Sequence, residues 1–207
     1  MAEDRKTKRT IRIRSEIMDA AIDIISEKGF NNSTTKEIAK TAGIAEGTIY
    51  NYFDNKSDIL LSIAERYMSY KRSFDYSSDI SSTEEFIKNM FWNNNFSNIQ
   101  KDHAKDRKVL KAMLPEFLSD RKLGKLYFER IVEPFLESTE TKLSELKDRG
   151  IIKDYDVRAL SRMLYSSIIG YAILEINGDP MVTDASASFR EEASRAYVGV
   201  FGKGMGK

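Results

Sequence analysis

The run Glu46-Gly47-Thr48-Ile49-Tyr50-Asn51-Tyr52-Phe53 gathers a carboxylate, a threonine hydroxyl, an amide and two phenols around two apolar anchors. At helical spacing Ile49 and Phe53 turn inward, which leaves Glu46, Gly47, Thr48, Tyr50, Asn51 and Tyr52 on the outer side. Such groups are unusual as plain solvent-facing filler. They hydrogen-bond phosphate oxygens and base edges, and their rings and methyl groups suit thymine methyls. Lys56 follows on the far side with a point charge suited to a phosphate. A plainer reading makes Tyr50 and Tyr52 half-buried core residues. Other chemistries find little support. The chain has no cysteine, hence no disulfide framework, thiolate metal site or cysteine nucleophile. The single histidine, His103, sits among Lys101, Asp102, Lys105 and Asp106 and reads as solvated surface. No Gly-x-Ser-x-Gly elbow occurs. Gly202-Lys203-Gly204-Met205-Gly206 ends the chain with no helix to follow, so it reads as a frayed tail rather than a phosphate loop. Neither a cofactor, a metal nor an enzymatic activity is expected.

The elements that would carry this face are helical. Only three prolines occur, and apolar residues recur at helical rather than alternating spacing, so the fold is expected to be all-α, with about nine helices. A first helix over about 15–28 places Ile17, Ala21, Ile24 and Ile25 on one side, and Gly29 stops it. Thr34-Thr35-Lys36-Glu37 has the capping-box pattern and starts a second helix with Ile38, Ala39 and Ala42 on its small buried face. Gly43 breaks it. A third helix over about 45–53 carries the outward face, held by Ile44, Ile49 and Phe53. Two short helices meeting at a glycine turn form the helix-turn-helix arrangement, which seats a second helix in a major groove. A turn at Asp54-Asn55 launches a long fourth helix.

Beyond it, 77–82 reads as a loop, and Ser82 with Glu85 reads as a further capping box. An aromatic- and asparagine-rich helix follows to about Ile99, then a short charged helix over 101–112. Pro115 is expected to interrupt the pattern. A long helix over about 119–148, kinked or split at Pro134, ends at Gly150. The last two helices span about 156–177 and 185–201, separated by Asn177-Gly178-Asp179-Pro180. The natural division is 1–55, a basic arm with a helix-turn-helix, and 56–207, the remainder.

With 207 residues, 41% hydrophobic and 31% charged, the profile is that of a soluble globular protein. No apolar run approaches the roughly 18 residues of a membrane span, and no apolar stretch follows the charged N-terminus as in a secretory signal. The lack of cysteine fits a reducing cytoplasm. Net charge is only +1, yet Arg5, Lys6, Lys8, Arg9, Arg12 and Arg14 crowd the first fourteen residues against Glu3 and Asp4. Such an arm suits phosphates or a minor groove, or else is a solvated tail.

The stretch Ile17–Leu60 resembles the N-terminal domain of TetR-family regulators, over about a fifth of the chain. The matching parts are Ala20-Ala21, Lys28-Gly29-Phe30, Thr34-Thr35, Ile38-Ala39, Ala42-Gly43, Gly47-Thr48-Ile49-Tyr50-Asn51-Tyr52-Phe53 and Lys56-Ser57-Asp58-Ile59-Leu60. A generic helix-turn-helix would lack the Tyr-x-Tyr-Phe-x-x-Lys tail. The resemblance implies that Thr35, Tyr52 and Lys56 hold phosphates and that Lys36 reaches a base edge or a phosphate. It further implies that Thr48 and Tyr50 face the major groove, with Glu46 and Gly47 at the start of the third helix and Asn51 near the DNA backbone. The family often has arginine where Lys36 stands, and lysine lacks the planar fork that grips guanine. The resemblance also implies a homodimer on double-stranded DNA with a palindromic operator, usual action as a repressor, and a small-molecule effector.

A dimer needs a face. Val157, Leu160, Leu164, Ile168, Tyr171 and Leu174 run along 156–177, with Ser166, Ser167, Gly170 and Ala172 allowing close approach. Phe189, Ala193, Ala196, Tyr197, Val200 and Phe201 run along 185–201. These stripes either bury in their own core or pair with their copies in a four-helix bundle, the arrangement of the last two helices in TetR-like proteins. Phe86, Met90, Phe91, Trp92, Phe96, Met113, Phe117, Tyr127, Phe128, Phe135 and Tyr165 are either ordinary core or the lining of a pocket for an apolar or aromatic ligand, with Asn93, Asn94 and Asn95 as polar anchors. A rival reading of the whole chain is a dimeric helical interaction protein whose reading head never touches DNA.

Overall fold

A computed structural model describes residues 2–71, 80–93, 103–183 and 187–202. The loop positions 77–79, Asn94, Asn95, Phe96, Lys101, Asp102 and the tail from Lys203 lie outside them, as do the side chains of Trp92, Asn93, His103 and Phe189. The helices in chain order are α1 (Ala2–Lys28), α2 (Thr35–Thr41), α3 (Glu46–Ile49), α4 (Lys56–Lys71), α5 (Thr83–Lys88), α6 (His103–Ser119), α7 (Arg121–Tyr127), α8 (Glu133–Asp148), α9 (Val157–Ile176), α10 (Pro180–Thr183) and α11 (Ala187–Phe201). Among the described residues there is no strand, only an isolated antiparallel bridge between Ile152 and Gly202. The all-α expectation holds. The chain divides into two compact units. One comprises Met1–Met68 with Ala104–Arg130, the other Ser69–His103 with Ile131–Lys207.

In the first unit, α1 buries Ile13, Ile17, Ala21 and Ile25 at four-residue steps against the rest of the head. Ile24 is only half-buried. The helix begins well before residue 15 because Ile13 extends the apolar stripe a turn earlier, and the basic residues ahead of it continue the same helix. Gly29, at φ +80°, ends α1 with its N–H on the Ile25 carbonyl at 2.8 Å, a left-handed cap that glycine adopts without strain.

At α2 the Thr34 hydroxyl accepts from the Glu37 N–H at 3.2 Å, and the Glu37 carboxylate accepts from the Thr34 N–H at 3.1 Å. Both arms of the capping box are therefore made. A hydrogen bond from Lys28, and then those from Thr34, hold the Glu37 carboxyl below its ordinary pKa. A carboxylate with a lowered pKa stabilises the fold above the usual carboxylate range, and that contribution fades as pH falls through the lowered value. Thr34→Ala is expected to cost about 1 kcal/mol at neutral pH in urea unfolding. An unchanged midpoint would show the cap to be idle.

Helix α3 is shorter than its sequence pattern. After Ile49 the ladder tightens, with Asn51 N–H to Thr48 carbonyl at 3.2 Å and Tyr52 N–H to Ile49 carbonyl at 2.9 Å, before Phe53 returns to Ile49 at 3.0 Å. Asn55 then caps α4, accepting from the Asp58 N–H at 3.0 Å. Helix α6 is longer than expected. It runs through Pro115, which with Lys111 faces solvent, so the carbonyl that loses its partner can be hydrated. Buried Ala112, Met113 and Phe117 hold the helix on either side of it. Arg130 on the segment after α7 pairs with Glu65 of α4 at 2.7 Å, and Lys108 of α6 with Asp23 of α1 at 2.8 Å.

In the second unit Ile80, Phe86, Ile87, Met90, Phe91, Leu143, Leu146, Ile152, Leu160, Leu164 and Phe201 form one buried cluster. Ser82 caps α5 by accepting from the Glu85 N–H at 3.1 Å. The expected return bond goes elsewhere: the Glu85 carboxylate accepts from the N–H of Ser81, at 2.8 Å, rather than from that of Ser82. The π-helical turn Asn89–Asn93 follows α5. The long helix expected over 119–148 is split as its proline suggested. A π-helical turn, Phe128–Val132, precedes the break, and α8 starts at Glu133 with Pro134 in its first turn, where a missing N–H costs little. The 177–180 turn continues into the short α10.

The apolar stripe read along α9 faces inward. Leu160 and Leu164 are buried, and Val157, Ile168 and Tyr171 pack against the cluster. Leu174, the last member of that stripe, is instead 43% exposed and lies on the outward side with Met163, 55%, and Ile173, 45%, at steps that also carry Ser166, Ser167 and Gly170. Helix α11 repeats this: Tyr197 and Phe201 pack inward, while Ala196, Gly199 and Val200 face solvent.

Candidate nucleic-acid interface

The outward face of the helix-turn-helix is held together from beneath. Ile38 and Ala39 of α2 and Ile49 and Phe53 around α3 are buried, so their helices cannot roll. Ile44 and Ala42 are half-buried beside them. Above this floor, the Thr35 hydroxyl donates to the Glu46 carboxylate at 2.9 Å and lies 3.2 Å from the Tyr50 hydroxyl. Three of the sequence-selected residues, from two helices, thus meet on one surface.

Tyr50 is 54% exposed, which disposes of the core reading for it. Tyr52 is half-buried, as are Thr35 and Thr48, whereas Lys36, Glu46, Gly47 and Asn51 are exposed. A Cβ built on Gly47 meets no heavy atom within 4 Å, so the start of α3 presents bare backbone to the outside. The surface offers hydroxyls that donate and accept, an amide, one carboxylate that can accept from a cytosine amine, and the Lys36 cation.

Lys56 is placed differently from its neighbours. Its ammonium donates to the Phe30 carbonyl and to the Ser33 carbonyl at 2.7 Å, and lies 4.2 Å from the centre of the Phe30 ring. Burial pulls its pKa below the ordinary lysine value, and the Glu116 carboxylate opposes that. Arg14 is the residue whose role the sequence did not disclose. It donates to the Tyr52 carbonyl and, at 3.2 Å, to the Ser62 hydroxyl, with its guanidinium 4.2 Å over the Phe53 ring. The available signal was its place between Ile13 and Ile17, inside the apolar register rather than ahead of it.

The aromatic candidates fall into both units. Phe86, Met90 and Phe91 are buried in the second, where Phe91 stacks on Tyr197 at 4.8 Å and meets Tyr171 edge-on at 6.1 Å. Burial, and a hydrogen bond with Tyr197, push the Tyr171 phenol up to about 12. Tyr165, half-buried, lies 5.6 Å from Phe135. In the first unit Met113 and Phe117 are buried, Phe117 stacks on Tyr127 at 4.2 Å, and Phe128 is 46% exposed.

Residues 17–63 match the family model for bacterial regulatory proteins of the tetR family, and these are the residues that build the head just described. Over these residues the chain carries the tetR-family domain. The fatty acid metabolism regulator protein of Bacillus subtilis is 51% identical over 53 residues, 26% of this chain and 27% of that protein. The match thus spans about a quarter of the length of the first curated relatives. Two solved structures extend the likeness of fold to nearly the whole chain. The fatty acid degradation regulator FadR of Bacillus halodurans has a TM-score of 0.71 at 24% identity, covering 90% of this chain and 95% of that one. FadR of Bacillus subtilis, solved with stearoyl-CoA, has a TM-score of 0.68 at 25% identity, covering 90% and 96%. These relatives are regulators. Among the described residues no helix is long and apolar enough to cross a membrane.

Proposed function

We propose that the chain is a cytoplasmic, homodimeric repressor that binds a palindromic operator and leaves it when an apolar ligand binds. The observation that carries this is the face on which Thr35, Glu46 and Tyr50 converge beside exposed Lys36, Gly47 and Asn51. Residues 1–55 form the reading head. Tyr50 and Thr48 face base edges, Gly47 lets the backbone come close, Thr35 and Tyr52 hold phosphates, and Lys36 takes a phosphate or a base edge. A head this small gains affinity by pairing, and the exposed stripes Met163–Leu174 and Ala196–Val200 are the surface for a second copy. Residues 56–207 supply that surface and the ligand site. The candidates for it are Phe86, Met90, Phe91, Trp92 and Tyr165 in the second unit and, taken separately, Met113, Phe117, Tyr127 and Phe128 in the first. Stearoyl-CoA, bound by a relative, is the first effector to try.

The test is selection of duplexes from a randomised pool by the purified full-length chain, followed by footprinting on the selected sequence. The expected product is an inverted repeat with half-sites about one helical turn, or a multiple of it, apart. Enrichment of no sequence would end the operator reading and favour a helical interaction protein. Release by stearoyl-CoA requires a difference in its affinity for the DNA-bound and free states, so its binding constant should change when the duplex is present.

A further inference from the structure

We infer that Glu46 is a specificity-determining residue: its carboxylate takes the 4-amino group of a cytosine at one fixed position in each half-site and excludes guanine there. The inference rests on the operator reading above and names a base which that reading leaves open. An acid at the start of α3 is an unlikely choice for general affinity to a polyanion. Elsewhere in the head, Glu16, Asp19, Asp23 and Glu37 each meet a lysine or arginine. Glu46 does not. Among the described residues its partner is neutral, the Thr35 hydroxyl of α2 at 2.9 Å. Its charge is thus left uncompensated on an exposed surface.

That bond also orders the cluster. A carboxylate only accepts, so the single Thr35 proton goes to Glu46. Tyr50, whose hydroxyl lies 3.2 Å from the same Thr35 oxygen, is then the donor to it. Thr35 follows Thr34, whose capping box fixes the start of α2. The Glu46 carboxylate is therefore held through Oε1, and Oε2 remains for a donor from outside.

In the major groove only cytosine and adenine offer such a donor, at N4 and N6. Adenine sets its N7 acceptor beside N6, and that lone pair repels a carboxylate. Cytosine shows the amine alone. Guanine presents acceptors only, and thymine an acceptor and a methyl group. Cytosine is favoured on these grounds and guanine is rejected most strongly.

The test has the wild-type chain and Glu46→Gln each select duplexes from a randomised pool. Glutamine keeps the size of the side chain, but its amide both donates and accepts, the pattern that grips adenine. The wild-type consensus is expected to hold cytosine at one position per half-site. In Glu46→Gln that position is expected to turn to adenine while the rest of the consensus stays. Anisotropy on the wild-type duplex then reads the contact directly. Exchanging this cytosine for guanine is expected to weaken wild-type binding about tenfold, equivalent to about 1.4 kcal/mol. The same exchange is expected to change the affinity of Glu46→Ala by less than about threefold.

A consensus that Glu46→Gln leaves unaltered would overturn the inference, as would a change at a position where the wild type prefers another base. Glu46 would then be only an acid favourable to the dipole of α3, and its loss would weaken all duplexes alike. Should a variant fail to fold, the wild-type chain still decides. Removing the 4-amino group from each preferred cytosine in turn is expected to weaken binding about tenfold at one of them. No such position, or no preferred cytosine at all, would overturn the inference while leaving operator binding intact. Failure of the wild-type chain to select any duplex would instead remove the operator reading, and this inference with it.

Discussion

Replacing Gly47 with leucine is expected to leave the fold as stable as the wild type, or slightly more so, and to reduce operator affinity by about a hundredfold, or about 2.7 kcal/mol. The two halves of this expectation have separate causes. In the free chain a Cβ at Gly47 touches nothing within 4 Å, so the side chain leaves the backbone into open space. Leucine is a better helix former than glycine by under 1 kcal/mol, which favours α3 slightly. On the operator reading proposed above, the start of α3 is where backbone comes closest to base edges, and a leucine there would hold the helix away. Loss of one or two base contacts, each worth about 1–3 kcal/mol, accounts for the drop. Thermal unfolding and anisotropy on the selected duplex read the two halves separately. A Gly47→Leu chain that still bound within threefold of the wild type would mean that this end of α3 does not face the groove, and Tyr50 would lose its assigned role too.

The head was legible because its signals are local. Thr34-Thr35-Lys36-Glu37, the glycines at 29 and 43, and the apolar steps from Ile17 to Ile25 each fix backbone within a few residues, and the caps and turns form where these signals stand. What escaped is non-local. The acceptors of Arg14 and Lys56, the carbonyls of Tyr52, Phe30 and Ser33, lie 23 to 38 residues away along the chain. Main-chain carbonyls have no sequence signature at all. Pro115 misled for a related reason. A proline stops a helix when the carbonyl it orphans is buried, and burial at Lys111 depends on packing that periodicity does not specify. The stripe on α9 was legible, but whether it buries in its own core or pairs with a copy was not. Both faces of that helix are apolar, and only the placement of Leu160 and Leu164 in the cluster shows that the second face, Met163 to Leu174, is left over.

That leftover face leads to the other large effect. Ile173 and Leu174 are 45% and 43% exposed, and each lies one turn from Gly170, whose own Cβ position is empty of neighbours within 4 Å. Aspartate at both positions should cost the single chain little, since solvent already reaches them. In a closed interface, around a two-fold axis, the same change buries paired carboxylates with no partner, an arrangement that ionised groups do not tolerate. The Ile173→Asp, Leu174→Asp chain is therefore expected to sediment as a folded monomer with wild-type helix content. Its affinity for the full inverted repeat should fall by about a thousandfold, because pairing gives the second head a local concentration in the millimolar range and that gain disappears. Its affinity for an isolated half-site should be unchanged, since Thr35, Gly47 and Tyr50 are untouched. A variant that remained dimeric would place the interface on another surface. One that became monomeric yet kept its affinity for the full repeat would show that the two heads do not bind as a pair.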